Sequence, residues 1–295
     1  MTTPAPDPGF SAWLETRRQW VDEALDRHLP AAGTRPAVLH EAMRYSMMAG
    51  GKRLRPILAL AACEACGGDL EAATLPALAL ELFHTYTLIH DDLPCMDDDD
   101  LRRGRPTCHI RFGEANALLA GDALLTLAFE WMALGPAPRE CVLELARAGG
   151  AIGVVGGQVE DLAAESVAPD RAALEWIHLH KTAKLLEASV VVGACCAGAP
   201  QPQVDALRRY ATGTGLAFQI IDDILDETAT TEQLGKPAGS DRESDKMTYV
   251  KLMGVEAARA EAERHLRDAL EALRALPGGA PRLAGLARFI VERNA

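Results

Sequence analysis

Two runs of aspartate dominate the chemistry available to this sequence: Asp91-Asp92-Leu93-Pro94-Cys95-Met96-Asp97 and Asp222-Asp223-Ile224-Leu225-Asp226. At about 100° per residue, Asp222 and Asp226 point the same way one helical turn apart, with Asp223 flanking them. Ile220, Ile221, Ile224 and Leu225 leave that segment little polar face, so its carboxylates need a counter-charge rather than solvent. In the first run Pro94 breaks the helix just after Asp92, so the chain can fold back and bring Asp97 beside Asp91. Oxygen donors without His or Cys suit a hard cation, and Mg²⁺ characteristically combines one or two carboxylates with substrate phosphates. A calcium loop fits poorly, because the alternating ligands and the glycine of an EF-hand are missing.

Cations accompany the acids. Gly50-Gly51-Lys52-Arg53-Leu54-Arg55-Pro56 places Lys and Arg at a helix boundary, and Arg102-Arg103-Gly104-Arg105 directly follows the first acidic run. His178-Leu179-His180-Lys181-Thr182 and Leu234-Gly235-Lys236-Pro237 add two isolated lysines. Each basic group alone reads as a solvated face, but together with two acidic clusters they describe a site for an anionic substrate. Gly50-Gly51-Lys52 is not a phosphate-binding P-loop, since the upstream glycine and the preceding strand are absent. His178 and His180, two apart on a helix, face different directions and do not share a metal.

The elements that must position these groups read as helices. Apolar residues recur at helical spacing, as in Trp13, Leu14, Val21 and Leu25, or Leu118, Leu119, Leu125 and Phe129. Thr34 and Pro36 form a start, while Gly50-Gly51 and Gly67-Gly68 form stops. Further helices are expected over 69–90, 113–134, 139–148, 171–192, 203–226 and 249–276, in an all-α chain of roughly ten helices. Residues 228–248 are polar, contain Gly235, Pro237 and Gly239, and read as a mobile loop or lid. With no low-complexity linker and no internal period, residues 1–295 read as one domain, with 1–9 an irregular tail.

A net charge of −12 argues against nucleic acid as the main partner. The proline-rich start resembles no targeting peptide, and the weakly polar stretch 188–199 is too short to span a bilayer, so a soluble cytoplasmic protein is expected. Seven scattered cysteines read as reduced thiols. Cys63-Glu64-Ala65-Cys66 lacks a second pair of ligands and reads as helix packing rather than a zinc site.

From about Arg44 onward the motifs GGKRLRP, FHTYTLIHDDLPCMDDDDLRRGRPTCH, GDALLTLAFE, GGQVEDL, HKT, FQIIDDILD and LGKPAG resemble, in order, those of the trans-isoprenyl diphosphate synthases, specifically the bacterial farnesyl diphosphate synthases. The resemblance implies a helical barrel around a deep central cavity, usually a homodimer. It implies that an allylic diphosphate ionises, isopentenyl diphosphate attacks the allylic cation through its double bond, and a proton is lost. Several Mg²⁺ ions would be held by Asp91, Asp97 and Asp222, with Asp92, Asp223 and Asp226 supporting them. Arg102, Lys181 and Lys236 would grip the allylic diphosphate, while Lys52, Arg55, His84 and Arg103 would anchor isopentenyl diphosphate without metal. Thr182 and Gln219 resemble the residues whose oxygens face the cation, and the lid would exclude water from it. Tyr86, roughly 7.5 Å along the helix from Asp91, stands where a growing tail would meet a bulky ring. The expected product is farnesyl diphosphate, with geranylgeranyl or geranyl diphosphate as the alternative. A terpene cyclase would not need GGKRLRP or the second acidic motif, and a non-catalytic partner subunit tends to lose one of the two motifs.

Overall fold

A computed structural model describes residues 8–134, 137–164, 170–228 and 247–291. Its helices are α1 (Pro8–His28), α2 (Ala37–Met47), α3 (Leu54–Ala65), α4 (Leu70–Asp91), α5 (Cys108–Phe112), α6 (Glu114–Ala133) and α7 (Arg139–Gly149). They continue as α8 (Val154–Ala163), α9 (Arg171–Ile177), α10 (Lys184–Cys196), α11 (Gln201–Thr228), α12 (Tyr249–Met253), α13 (Val255–Ala272) and α14 (Pro281–Val291). Among the described residues the β-structure is one antiparallel hairpin, β1 (Leu101–Arg102) with β2 (Arg105–Pro106).

Helices α3 and α10 are apolar on nearly every side and form the centre. Gly193 permits their close approach, since a methyl there would drive into the Ala59 carbonyl. α4 packs against both α3 and α6, and α10 packs against α3, α4, α7 and α11. α4 has the length and apolarity of a bilayer span, which the sequence reading did not register, but most of it is buried inside the bundle. It is capped by Asp69, which accepts the Glu71 N–H at 3.1 Å, and it ends at Asp91 before Pro94.

Several elements differ from the sequence reading, and α5 and α14 lie outside the helical ranges it gave. The expected tail is helical from Pro8, because Phe10 is buried against the ring of Phe289 at 6.4 Å and ties α1 to α14. The expected helix over 249–276 breaks at Gly254, whose φ of 79° only glycine adopts readily. The expected helix over 171–192 widens at His178–Ala183 into a π-helical turn and then runs on to Cys196. α8 was not anticipated; its glycines mask its period but serve packing, since a side chain at Gly157 would strike the Lys181 backbone. Residues 229–246, which contain most of the expected lid and Lys236, lie outside the described residues.

Candidate active site

The first acidic cluster is built by the end of α4. Pro94 stops the helix, and the chain reverses so that the Asp97 N–H donates to the Asp91 carbonyl at 2.9 Å. Asp98 adopts a left-handed φ of 53° within that reversal. Asp92 turns inward, and the Arg102 guanidinium from β1 donates to its carboxylate at 2.6 Å through Nε. Burial raises the Asp92 carboxyl, against the pull of Arg102. Burial pushes the Asp91 carboxyl up to about 6, and Asp97 and Asp92 push it the same way against Lys181 and Arg102.

The second cluster lies on α11, which packs against the π-turn carrying Lys181 and Thr182. Gln219, one turn before it, lines the same cavity as Asp91. Asp223 and Asp226 are buried, and Asp222 is half-buried. One Asp223 oxygen accepts the Tyr249 N–H at 2.8 Å, anchoring the start of α12, and the other lies 3.9 Å from Nε2 of buried His178.

A cavity of about 480 Å³ opens beneath these groups. Tyr86, Asp91, Lys181, Thr182 and Gln219, all chosen from sequence, line it together with Val154 and Val159 of α8. An adjoining cavity of about 400 Å³ is lined by Lys52, Arg55, His84 and Arg103, the other set chosen from sequence. Arg55, His84 and Phe218 border both. Gly51 makes this arrangement possible: at φ 126°, with no side chain, it leaves room for the Arg103 guanidinium, which a Cβ would meet at 2.6 Å.

The second cavity is built for an anion. Arg55 Nε is buried with no hydrogen-bond partner among the described residues. Burial lowers the Arg55 guanidinium only to about 10, so it remains charged near neutrality. Glu81, the acid in this wall, is committed to Arg53 at 3.0 Å. Burial and the neighbouring Arg55 and Arg103 drive His84 well below its usual range, so its imidazole is neutral. Arg53 was read with the basic run, but it points into the core, bonded also to Asp22 at 2.7 Å and to the Met47 carbonyl at 2.6 Å.

Asp161 and Gln158 were not chosen from sequence, and His178 was weighed only as a metal ligand shared with His180 and set aside. Asp161 holds Lys181 at 2.5 Å, and Gln158 places a buried, unpartnered amide nitrogen at the first cavity. The signal was the motif GGQVEDL, whose Gln158 and Asp161 stand three apart on one helical face.

Among the described residues no three His, Cys, Asp or Glu side chains form a ready-made metal cage. The residues nevertheless fit Mg²⁺. The donors are all carboxylate oxygens, burial and the neighbouring Asp97 and Asp92 hold Asp91 back from ionising despite Lys181 and Arg102, and Mg²⁺ usually completes its shell with water and substrate phosphate.

The sequence places the chain among known proteins. Residues 36–276 match the polyprenyl synthetase family. The chain belongs to that family. This polyprenyl synthetase is 48% identical over 296 residues to "Geranylgeranyl pyrophosphate synthase 9, chloroplastic" of Arabidopsis thaliana, covering 97% of this chain and 82% of the relative. It superposes on an FPP/GFPP synthase of Zymomonas mobilis with a TM-score of 0.84 at 38% identity, covering 96% of this chain and 99% of that one. A geranyltransferase of Helicobacter pylori, solved with magnesium and isoprenyl diphosphate, aligns with a TM-score of 0.83 at 32% identity over 98% of both chains. The all-helical isoprenoid-synthase fold and a prenyltransferase activity follow.

Mg²⁺ competes with a proton for Asp91, whose folded pKa is raised, so binding weakens as pH falls through about 6. Titration calorimetry of Mg²⁺ with inorganic diphosphate is expected to show affinity lower by about tenfold at pH 5 than at pH 7. Equal affinity at pH 5 and pH 7 would contradict it. In the metal-free protein the sign is the reverse of an ordinary salt-bridged carboxylate. Ionising Asp91 costs stability from about pH 4 upward, fully above pH 6.

Proposed function

We propose that this polyprenyl synthetase is a Mg²⁺-dependent trans-prenyltransferase that joins isopentenyl diphosphate to allylic diphosphates. The observation that carries this reading is the asymmetry of the two adjoining cavities. One is lined by Asp91 of the first acidic cluster with Lys181 and Gln219, the other by Lys52 and Arg103, with Arg55 shared between them. Mg²⁺ on the carboxylates would supply Lewis-acid help to a departing diphosphate. Arg102, already fixed by Asp92, and Lys181, fixed by Asp161, present cations to the same group. In the second cavity bare cations anchor a diphosphate that must stay attached, and the neutral imidazole of His84 adds a hydrogen bond without further charge. Thr182 and Gln219 turn oxygen dipoles toward the cation, and the apolar wall of Val154 and Val159 keeps water from it.

For product length we propose a C15 to C20 range. The name of the Arabidopsis relative supports geranylgeranyl diphosphate, which takes precedence over the farnesyl expectation. Farnesyl diphosphate is the second reading, carried by the Tyr86 ring in the cavity wall. The test is purified protein with Mg²⁺, dimethylallyl diphosphate and labelled isopentenyl diphosphate. Products are dephosphorylated and separated by chain length, with EDTA as control. Activity undiminished by EDTA would sink the metal assignment, and no condensation at all would sink the whole reading.

The homodimer belongs to the same proposal. Leu118 and Leu119 of α6 and Ile110 of α5 are about half exposed, an apolar patch that a second copy would cover. Light scattering is expected to report a dimer for the unaltered protein, and Leu119→Glu is expected to weaken association by at least about a hundredfold. A monomeric unaltered protein would refute the assembly.

A further inference from the structure

Away from the active site, three cysteines meet between α7 and α10. Cys141, at the start of α7, is fully buried, and its Sγ lies 3.9 Å from Sγ of Cys196 at the end of α10. Cys141 also reaches the Val192 carbonyl at 3.8 Å and the thiol of Cys195. Cys195 and Cys196 are partly exposed, so a small solute can reach them while Cys141 stays shielded. Cys63 of the CxxC pair lies within electrostatic reach of Cys196, but its thiol donates to the Asp69 carbonyl at 3.5 Å, and burial pushes it up to about 12. Its proton is committed to that carbonyl, whereas Cys141 stands in sulfur–sulfur contact with Cys196. No metal cage is present here among the described residues, which leaves sulfur–sulfur chemistry for this cluster.

We propose that Cys141 and Cys196 are a hydroperoxide-responsive dithiol that closes to a disulfide joining α7 to α10. The Cys196 thiolate attacks one oxygen of the peroxide, giving a sulfenic acid and releasing hydroxide, or alkoxide from an organic peroxide. The buried Cys141 sulfur then bonds to the Cys196 sulfur, the sulfenic oxygen leaves, and the Cys141 proton goes with it as water. Two thiols lose two electrons, and one peroxide gains them. The geometry suits both halves. The Cys141 thiol aimed at its neighbours favours thiolate on Cys196 and keeps Cys141 itself protonated. The same Cys141 contact favours a thiolate on Cys195, with Arg208 for it and Glu144 and Glu140 against it, so it is the 3.9 Å sulfur–sulfur contact that selects Cys196. Closing the bond brings the sulfurs about 2 Å nearer, within reach of side-chain rotation.

The location sets the consequence. α10 begins at Lys184, beside Lys181 and Thr182, and ends at Cys196, about 20 Å away along its axis. The disulfide therefore fastens the far end of the central helix without touching the groups that hold substrate.

The experiment treats the full chain with hydrogen peroxide at one equivalent, then maps non-reduced peptides by mass spectrometry. The expected result is a Cys141–Cys196 linked peptide, loss of two titratable thiols, and reversal by dithiothreitol. Melting temperature is expected to rise on the order of 5 °C, with turnover at ambient temperature within about twofold. Cys195→Ser is expected to retain the link and Cys141→Ser to lose it. Sulfinic acid on Cys196 with no linked peptide, a dominant Cys141–Cys195 link, or the same loss of two titratable thiols in Cys141→Ser would each overturn the proposal. Should Cys141→Ser fail to fold, the peptide map of the unaltered chain and of Cys196→Ser decides alone.

Discussion

Asp91→Asn is expected to lower turnover on the order of a thousandfold while isopentenyl diphosphate binds almost as before. Asp91 lines the cavity assigned to the allylic substrate, and its carboxylate is the donor that an amide cannot replace. Losing a metal contact on a departing diphosphate removes several kcal/mol of transition-state stabilisation, which at about 1.4 kcal/mol per decade gives that factor. In the proposed reading isopentenyl diphosphate is anchored by Lys52, Arg55 and Arg103 in the other cavity, which Asp91 does not line. The same substitution is expected to raise the melting temperature of the metal-free protein above pH 6. A neutral amide relieves the cost of an ionised, buried Asp91, so stability and activity move in opposite directions. Kinetics, equilibrium binding of isopentenyl diphosphate and thermal melts check the three parts separately. A parallel loss of isopentenyl diphosphate affinity would mean that the two sites are not distinct.

What the sequence disclosed and what it hid follow a physical division. The reversal at Pro94 was legible because proline excludes the helix locally, and the Asp97 N–H does reach the Asp91 carbonyl. The choice of Lys52, Arg55, His84 and Arg103 was legible through resemblance, and the structure brings all four to one cavity. Arg53, in the same basic run, could not be separated from them by residue type. Its left-handed φ of 49° and its bonds to Glu81 and Asp22 turn it inward, and those depend on α1 and α4 packing beside it. His178 was hidden for a related reason, since its partner Asp223 is 45 positions later and meets it only through α11. The Cys141–Cys196 contact spans 55 residues and has no local signature at all. The break at Gly254 was a weaker miss, since a glycine inside a helical period is tolerated often enough that the pattern alone did not stop the helix there.

Tyr86→Ala is expected to lengthen the main product by one isoprene unit or more. Along α4, Asp91, His90, Leu88, Thr87, Tyr86 and His84 line the large cavity, whereas Phe83, one turn beyond Tyr86, is fully buried and does not. His84 is shared with the adjoining cation-lined cavity, so Tyr86 is the bulky α4 side chain that an apolar tail growing away from Asp91 meets. Its ring stands edge-on to Phe83 at 4.7 Å and to His90 at 5.6 Å, so neighbours hold it in place and it does not swing aside for a tail. Burial pushes its phenol up to about 12, so it is neutral at working pH and acts by bulk rather than charge. Truncation to Ala moves the floor back to Phe83, about 4.5 Å down the helix axis. The shift holds for either starting product, from C15 to C20 or from C20 to C25. Because the lost ring borders an existing cavity, the fold is expected to give up less than the roughly 3–5 kcal/mol of a fully enclosed aromatic truncation. Chromatography of dephosphorylated products reads the outcome. An unchanged chain length in a folded, active Tyr86→Ala protein would show that the floor is set elsewhere, with the apolar residues of α8 across the cavity the next to test.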